Sequence, residues 1–104
     1  EVLRTIADIF RKSLRSFDII ARYGGEEFVI ILPETDLAEA LVVCERIRVT
    51  VENYDWKEIQ ADLAVTISFG ITDDMSLENY EKMLSRADEK LYIAKKSGRN
   101  TVRY

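Results

Sequence analysis

The sequence predicts one α/β domain in which a mixed sheet is flanked by helices. Two observations support this prediction. Apolar residues recur at helical spacing in three segments, and runs rich in apolar and β-branched residues alternate with them in the order helix-strand-strand-helix-strand-helix-strand. The chain has 104 residues, of which 47% are hydrophobic, so it is long enough to bury one core. We therefore expect residues 1–104 to form a single layered domain.

Three amphipathic helices are expected from the spacing of their apolar residues. Thr35 or Asp36 is suited to cap the second helix, Ser76 is suited to cap the third, and Gly98 is expected to end the third. No capping residue precedes the first helix, which starts at Glu1, so we expect the chain to be cut from a longer protein. The expected helices cover residues 1 to about 15, residues 37 to 51, and residues 77 to about 96.

Four strands are expected from runs rich in β-branched and aromatic residues. The first two form a hairpin, because the two glycines between them can take positive φ at no steric cost. The third run is long and apolar, and the fourth is short and terminal. The expected strands cover residues 18–23, 27–32, 63–71 and 101–104.

The composition excludes several classes of function. A net charge of -4 argues against a general nucleic-acid binder, which would carry a basic face. The chain has no histidine and one cysteine, Cys44, which excludes histidine-based catalysis, the usual zinc sites and a disulfide framework. No stretch resembles a signal peptide or approaches the length of a membrane span. We expect a reducing, cytoplasmic environment.

Two carboxylates, Glu26 and Glu27, follow the hairpin glycines and precede the apolar run 28–32. An unpaired carboxylate beside a covered strand is costly, and a hard cation such as Mg²⁺ would relieve that cost and bring in a nucleoside triphosphate. Gly24 and Gly25 would let a phosphate lie against bare backbone. The alternative is an ordinary Gly-Gly turn followed by solvated charges. Since successive strand residues point to opposite faces, at most one of the two glutamates is well placed toward a given site.

With this motif placed, the chain resembles the GGDEF family of diguanylate cyclases. The resemblance covers essentially the whole chain, because five motifs occur in the family's order and spacing. It implies a nucleotide-cyclase-like palm with a mixed, mostly antiparallel sheet, and the condensation of two GTP into cyclic di-GMP with release of pyrophosphate. It also implies Mg²⁺ or Mn²⁺ as cofactor and a homodimer in which each subunit presents one GTP. The motifs are residues 22–28, 45–48, 66–70, 86–92 and 94–100.

The resemblance also implies roles for the hairpin residues. Glu26 would coordinate the metal and activate the attacking 3′-hydroxyl, and Glu27 would be a second acidic contributor near the metal. Gly24 and Gly25 would contact the substrate phosphates. A glutamate in place of the aspartate of the family's name keeps the charge, so it does not argue against activity.

Three further residues are implied as substrate contacts. Lys95 and Arg99, near the end of the third helix, would reach the triphosphate, and Leu3 would line the guanine pocket. Each has a simpler interpretation. Cations at that end complement the helix dipole and bind its last carbonyls, and Leu3 continues the apolar stripe of the first helix.

Arg15, Asp18 and Arg46 form a second candidate site. An Arg and an Asp three residues apart often form only a weak surface ion pair. Here the Asp lies six residues before Gly24, which is the family's spacing for the RxxD site that binds cyclic di-GMP and inhibits the enzyme. Arginine suits a guanine edge or a phosphate in a bidentate geometry, and the carboxylate accepts from guanine N–H groups.

The chain departs from the family in one respect. The family's palm begins with a central strand that carries a metal-binding aspartate, and a guanine-binding segment follows. Neither is present, so residues 1–104 correspond to the C-terminal portion of the domain, truncated at the N-terminus. We expect the parent protein to carry an upstream sensory domain, and a membrane anchor is compatible with that upstream region. The isolated chain is expected to be inactive and to self-associate through the edges left open.

Two alternatives to an active cyclase remain. The first is a GGDEF-type module that senses cyclic di-GMP or GTP without catalysis. The second is a folded but inactive fragment of a cyclase. An intact Gly-Gly-Glu-Glu sequence favours catalysis for the parent protein, because a pure sensor need not keep Glu26.

Overall fold

The computed structural model describes residues 1–24, 27–73 and 80–104. In these residues three helices and two pairs of strands follow the expected order, with a short 3-10 turn after the second helix. Within them, no helix has the length and apolar character needed to cross a bilayer. The elements are α1 (Val2–Ser13), β1 (Ile19–Gly24), β2 (Glu27–Ile31), α2 (Leu37–Asn53), the 3-10 turn (Trp56–Glu58), β3 (Phe69–Gly70), α3 (Tyr80–Lys96) and β4 (Val102–Arg103).

The strands form one antiparallel and one parallel pair. This confirms the predicted fold class, in which helices flank strands of mixed direction. β1 and β2 make the expected hairpin, with Ile19 opposite Ile31 and an irregular register near its tip. β3 and β4 run parallel, with Phe69 opposite Val102. The parallel pairing requires a crossover, and α3 supplies it.

The predicted third strand was wrong over residues 63–68. Only Phe69 and Gly70 form a strand, and none of the described residues pairs with 63–68 in a ladder. The alternation expected of a strand is nevertheless present, because Leu63, Val65 and Ile67 all pack against the core. Strand-forming residues specify which face is buried, whereas a ladder also requires a second backbone beside the first.

The core lies where α1 and α2 meet. Phe10 is its centre, because its ring lies edge-on to those of Phe28 at 5.3 Å and Phe69 at 6.3 Å, which connects both strand pairs to α1. Trp56 is part of the core, because only 2% of it is exposed and its Nε1–H donates to the Val51 carbonyl at 2.7 Å. The core residues are Ile6, Ile9, Phe10, Ile47, Val51 and Trp56.

The helix ends follow local rules. Asp36 caps α2 in a capping box, in which its carboxylate accepts from the Glu39 N–H at 2.8 Å and the Glu39 carboxylate accepts from the Asp36 N–H at 3.3 Å. Gly98, with φ of 108°, follows α3, and the Arg99 N–H closes the end by donating to the Ala94 carbonyl at 3.0 Å. The proposed cap Ser76 lies outside the described residues.

Gly70 allows β3 to pack directly on α3. A Cβ atom added there would lie 2.2 Å from the Ala87 carbonyl oxygen and 2.2 Å from the Leu91 nitrogen. No side chain fits at those distances, so a glycine is required for this approach. The contact positions α3 against the sheet and thereby places its C-terminal end.

Candidate functional site

The hairpin brings the ends of the glycine–glutamate motif together. The backbone of Gly24 lies opposite that of Glu27, so the ladder extends to the two residues that join the strands. Those two, Gly25 and Glu26, lie outside the described residues. Among the residues that the structure does describe, no three acidic, cysteine or histidine side chains form a group able to hold a metal ion.

An apolar cavity of about 270 Å³ lies between α1, β2 and the extended segment 63–68. Leu3, the expected guanine-pocket residue, is half-buried in its wall, and Phe28 contributes the β2 side. The lining side chains are apolar apart from the Thr66 hydroxyl. The lining consists of Val2, Leu3, Ile6, Phe28, Val65, Thr66 and Ile67.

Lys95 and Arg99, the expected triphosphate contacts, lie at the C-terminal end of α3. Both are exposed. Lys95 belongs to the last turn of the helix, and Arg99 follows Gly98 in the left-handed region with φ of 65°. The structure therefore places both cations at one end of one element, where an incoming anion could meet them.

A polar network joins α2 to the turn that carries Arg99. The Arg48 guanidinium donates to the Asn100 Oδ1 at 3.0 Å and to the Glu45 carboxylate at 2.6 Å, and the Asn100 Nδ2 donates to the Glu52 Oε2 at 2.7 Å. Hydrogen bonding from Arg48, assisted by its charge, lowers the pKa of Glu45 below its ordinary value. Neither Arg48 nor Asn100 was expected from the sequence to have a role at the site. The available signal was the sequence Gly-Arg-Asn after a helix, since asparagine is enriched in left-handed conformations.

The turn after α1 holds Arg15 and Asp18 together. Asp18 Oδ2 accepts from the Arg15 backbone N–H at 2.7 Å and from its Nε at 3.5 Å. The Arg15 guanidinium also donates to the Thr35 hydroxyl oxygen and lies 4.6 Å from the centre of the Phe17 ring. The arginine is thus held by a carboxylate, a hydroxyl and an aromatic face.

Asp18 is not an ordinary surface partner, because only 3% of its side chain is exposed. Its second oxygen, Oδ1, is buried and has no hydrogen-bond partner among the described residues. Buried polar atoms are nearly always satisfied, so this oxygen needs a donor from outside the described residues.

Arg46, on α2, contacts the same C-terminal end of α1. Its Nη2 donates to the Ser13 carbonyl, the last residue of α1, at 3.0 Å. The three residues that the sequence grouped as a regulatory site are therefore brought to the C-terminal end of α1. Arg46 is bonded to Ser13, which precedes Arg15 by two residues, and this hydrogen bond also satisfies one of the last carbonyls of α1.

Comparison with known proteins identifies relatives along nearly the whole chain. The family model "Diguanylate cyclase, GGDEF domain" matches residues 1–101. Diguanylate cyclase DosC of Escherichia coli is 42% identical over 103 residues, covering 98% of this chain and 22% of the relative. Response regulator PleD of Caulobacter vibrioides is 45% identical over 105 residues, covering 98% of this chain and 23% of the relative. The chain thus spans under a quarter of the length of these curated relatives.

Solved structures match the fold as well. The active GGEEF domain of a diguanylate cyclase from Vibrio cholerae superposes with a TM-score of 0.88 at 26% identity, covering 98% of this chain and 65% of that one. The GGDEF domain of DgcB from Caulobacter crescentus, solved in complex with c-di-GMP, superposes with a TM-score of 0.86 at 31% identity, covering 98% of this chain and 61% of that one.

Proposed function

The chain belongs to the GGDEF domain family of diguanylate cyclases, and from this premise we propose that the protein condenses two GTP into cyclic di-GMP and releases two pyrophosphates. The observation that carries the proposal is the intact Gly24-Gly25-Glu26-Glu27 sequence at the end of the β1–β2 ladder. A sequence of this kind supplies backbone N–H groups and two carboxylates within four residues. Both are needed to receive a triphosphate with its cation.

Glu26 is proposed as the catalytic carboxylate. It would accept the proton of the attacking 3′-hydroxyl, while Glu27 would add a second acidic group. Carboxylate oxygens are the ligands that Mg²⁺ and Mn²⁺ prefer, so this donor set fits the metal that the reaction needs. When bound, the cation neutralises charge on the triphosphate and lowers the pKa of a coordinated hydroxyl, so that a carboxylate base suffices without histidine.

The remaining substrate contacts are proposed on three elements. Gly24 and Gly25 would allow the phosphates to approach the hairpin backbone. Lys95 and Arg99 would neutralise the triphosphate from the end of α3, where both are exposed. Leu3 would contribute an apolar wall to the guanine pocket, and it lines the cavity between α1, β2 and segment 63–68.

The product has two phosphodiester bonds, and each forms by attack of one nucleotide's 3′-hydroxyl on the other's α-phosphate. We therefore propose catalysis by a homodimer in which each subunit presents one GTP. Since the chain spans under a quarter of the relatives' length, we also propose that an upstream sensory domain controls how the two subunits meet.

Arg15, Asp18 and Arg46 are proposed as an inhibitory site for the product, cyclic di-GMP. The supporting observation is that Arg15 pairs with Asp18 and that Arg46 contacts the same end of α1, with both arginines exposed. The same site would serve the competing function, a sensor of cyclic di-GMP that has no catalytic activity.

A cyclase assay tests the proposal. The full-length natural protein, incubated with GTP and Mg²⁺, should yield cyclic di-GMP and pyrophosphate by chromatography. Glu26→Ala should abolish the product, whereas Glu58→Ala, an exposed glutamate in the 3-10 turn, should not. A wild-type protein that binds cyclic di-GMP but forms none would favour the sensor. An unchanged rate in Glu26→Ala would refute the assignment of Glu26.

A further inference from the structure

The turn that carries Arg99 has an unusual backbone. Gly98, Arg99 and Asn100 all have positive φ, at 108°, 65° and 48°. Glycine adopts this region without cost and asparagine is enriched in it, but an arginine is not favoured there. Three successive left-handed residues persist only where the surrounding structure holds them, and such outliers cluster at functional sites.

Both ends of the turn are held by backbone hydrogen bonds. On the helix side, the Arg99 N–H donates to the Ala94 carbonyl at 3.0 Å. On the strand side, the Phe69 N–H donates to the Thr101 carbonyl at 2.9 Å. These bonds fix where the turn begins and ends, but they leave Asn100 to be held by its side chain.

The Asn100 side chain is held at both of its polar atoms by α2. Its Oδ1 accepts from Arg48 at 3.0 Å, and its Nδ2 donates to Glu52 at 2.7 Å. Arg48 is itself confined, because its side chain is only 17% exposed and is paired with Glu45 at 2.6 Å and Glu52 at 3.5 Å. The Asn100 side-chain oxygen therefore accepts from a planar guanidinium whose Nε and Nη2 already donate to Glu45.

Arg99 does not explain this arrangement by its own contacts. Its side chain is exposed, and across residues 1–24, 27–73 and 80–104 no hydrogen bond or ion pair is formed by it. The strained backbone therefore holds a guanidinium toward solvent. A backbone fixed in this way would present the Arg99 guanidinium to a ligand in one orientation.

We propose that Arg48, Glu52 and Asn100 are positioning residues that fix Arg99 for the triphosphate. This inference rests on the proposed function, in which Arg99 contacts the substrate. A network with a purely structural purpose would also join α2 to the turn. The two roles differ in one respect: a positioning network acts on the ligand only through Arg99.

A double-mutant cycle on the full-length natural protein separates the two roles. The variants are Arg99→Ala, Asn100→Ala and the two combined, with Asn53→Ala at the exposed end of α2 as a matched control. The probe is the Mg²⁺ complex of α,β-methylene GTP, which cannot release pyrophosphate. Its dissociation constant is measured by calorimetry, and KM and kcat for GTP are measured beside it.

Arg99→Ala should weaken binding of the analogue by roughly tenfold, the loss expected for a hydrogen bond to a charged group. Asn100→Ala should also weaken binding of the analogue and should raise the KM for GTP. The double variant should bind the analogue no more weakly than Arg99→Ala alone. Asn53→Ala should match the wild type. Losses that add in the double variant, or a lower melting temperature with unchanged analogue affinity in Asn100→Ala, would overturn the inference.

A second variant keeps the test decisive if Asn100→Ala does not fold. Arg48→Gln removes the guanidinium from Asn100 but leaves the Asn100–Glu52 hydrogen bond. It should therefore weaken binding of the analogue less than Asn100→Ala does. In the Arg99→Ala background it should not weaken binding at all. Failure of the proposed function gives a different result. If the wild-type protein binds the analogue but forms no cyclic di-GMP, catalysis is refuted, and the double-mutant cycle can still be measured by analogue binding. If the wild-type protein does not bind the analogue, the positioning inference is refuted.

Discussion

The rings of Phe10 and Phe28 lie edge to face, with centroids 5.3 Å apart and planes inclined by 69°. This contact attaches the hairpin that carries the glycine–glutamate motif to α1. Phe10 is 1% exposed and also contacts Phe69, so one side chain connects both strand pairs to the helix.

Phe10→Ala should therefore destabilise the whole domain. We expect a loss of about 3–5 kcal/mol in the free energy of unfolding, typical of a buried aromatic replaced by alanine. Urea unfolding followed by circular dichroism measures it. Val42→Ala, at a position 63% exposed on α2, is the control and should change stability by about 0.5 kcal/mol or less. Similar losses for the two variants would contradict the central place of Phe10.

Gly70→Ala should displace α3 from the sheet. The new Cβ would lie 2.2 Å from two backbone atoms of α3, which cannot move independently of the helix. We expect a loss of about 3 kcal/mol or more, at the upper end of overpacking effects. Gly98→Ala is the matched control, because its Cβ would enter open space and only the positive φ is strained, at about 1 kcal/mol. Equal losses for the two glycines would show that β3 can move away from α3.

The proposed inhibitory site predicts tight product binding that depends on Arg15. Cyclic di-GMP should bind at micromolar concentration or tighter, which corresponds to about 8 kcal/mol at 1 μM. Arg15→Ala removes the guanidinium beside the buried Asp18 carboxylate and should weaken binding by roughly tenfold or more. Arg11→Ala, which breaks an exposed ion pair on α1, should leave affinity unchanged in calorimetry. Equal affinity in wild type and Arg15→Ala would exclude the site.

Cys44 should make stability fall at alkaline pH. Burial raises the pKa of its thiol from 9.0 to about 12, because the thiolate cannot be solvated there. The unfolded chain ionises above pH 9 while the folded chain does not, so this contribution is complete below pH 9 and is lost as pH rises toward 12. Between pH 8 and 10 the loss should be about 1 kcal/mol in urea unfolding.

Other groups titrate in the same range, so the comparison is with Cys44→Val, which has no thiol but a similar volume. The slope of stability against pH should be shallower in that variant. Identical slopes would show that the Cys44 thiol does not contribute.

A polypeptide limited to residues 1–104 should self-associate and should not turn over GTP. The extended segment 63–68 has no ladder partner among the described residues and borders an apolar cavity, and exposed strand edges of this kind recruit other chains. Light scattering should detect species larger than a monomer. Thr66→Lys, which places a charge on that segment, should reduce association, whereas Thr50→Lys on the exposed face of α2 should not. A stable monomer with full cyclase activity would contradict this account.

The features that depend on neighbouring residues could be predicted from the sequence. The helical spacing of apolar residues located α1 and α2. The cap of α2 was narrowed to Thr35 or Asp36, and Gly98 was recognised at the end of α3, because capping bonds form within one turn. The hairpin followed from two glycines between apolar runs. The family was identified from motifs whose spacing is itself part of the sequence.

The features that join distant residues could not be predicted in this way, because they depend on how the folded chain packs. Segment 63–68 was expected to be a strand, but a ladder depends on a second backbone that no local pattern supplies. The bond between Arg48 and Asn100 spans 52 residues, and the burial of Asp18 and Trp56 depends on how α1, α2 and the connecting turns pack. Burial and long-range hydrogen bonds are properties of the assembled chain, because the free energy of a buried polar group is set by the partners that folding brings to it.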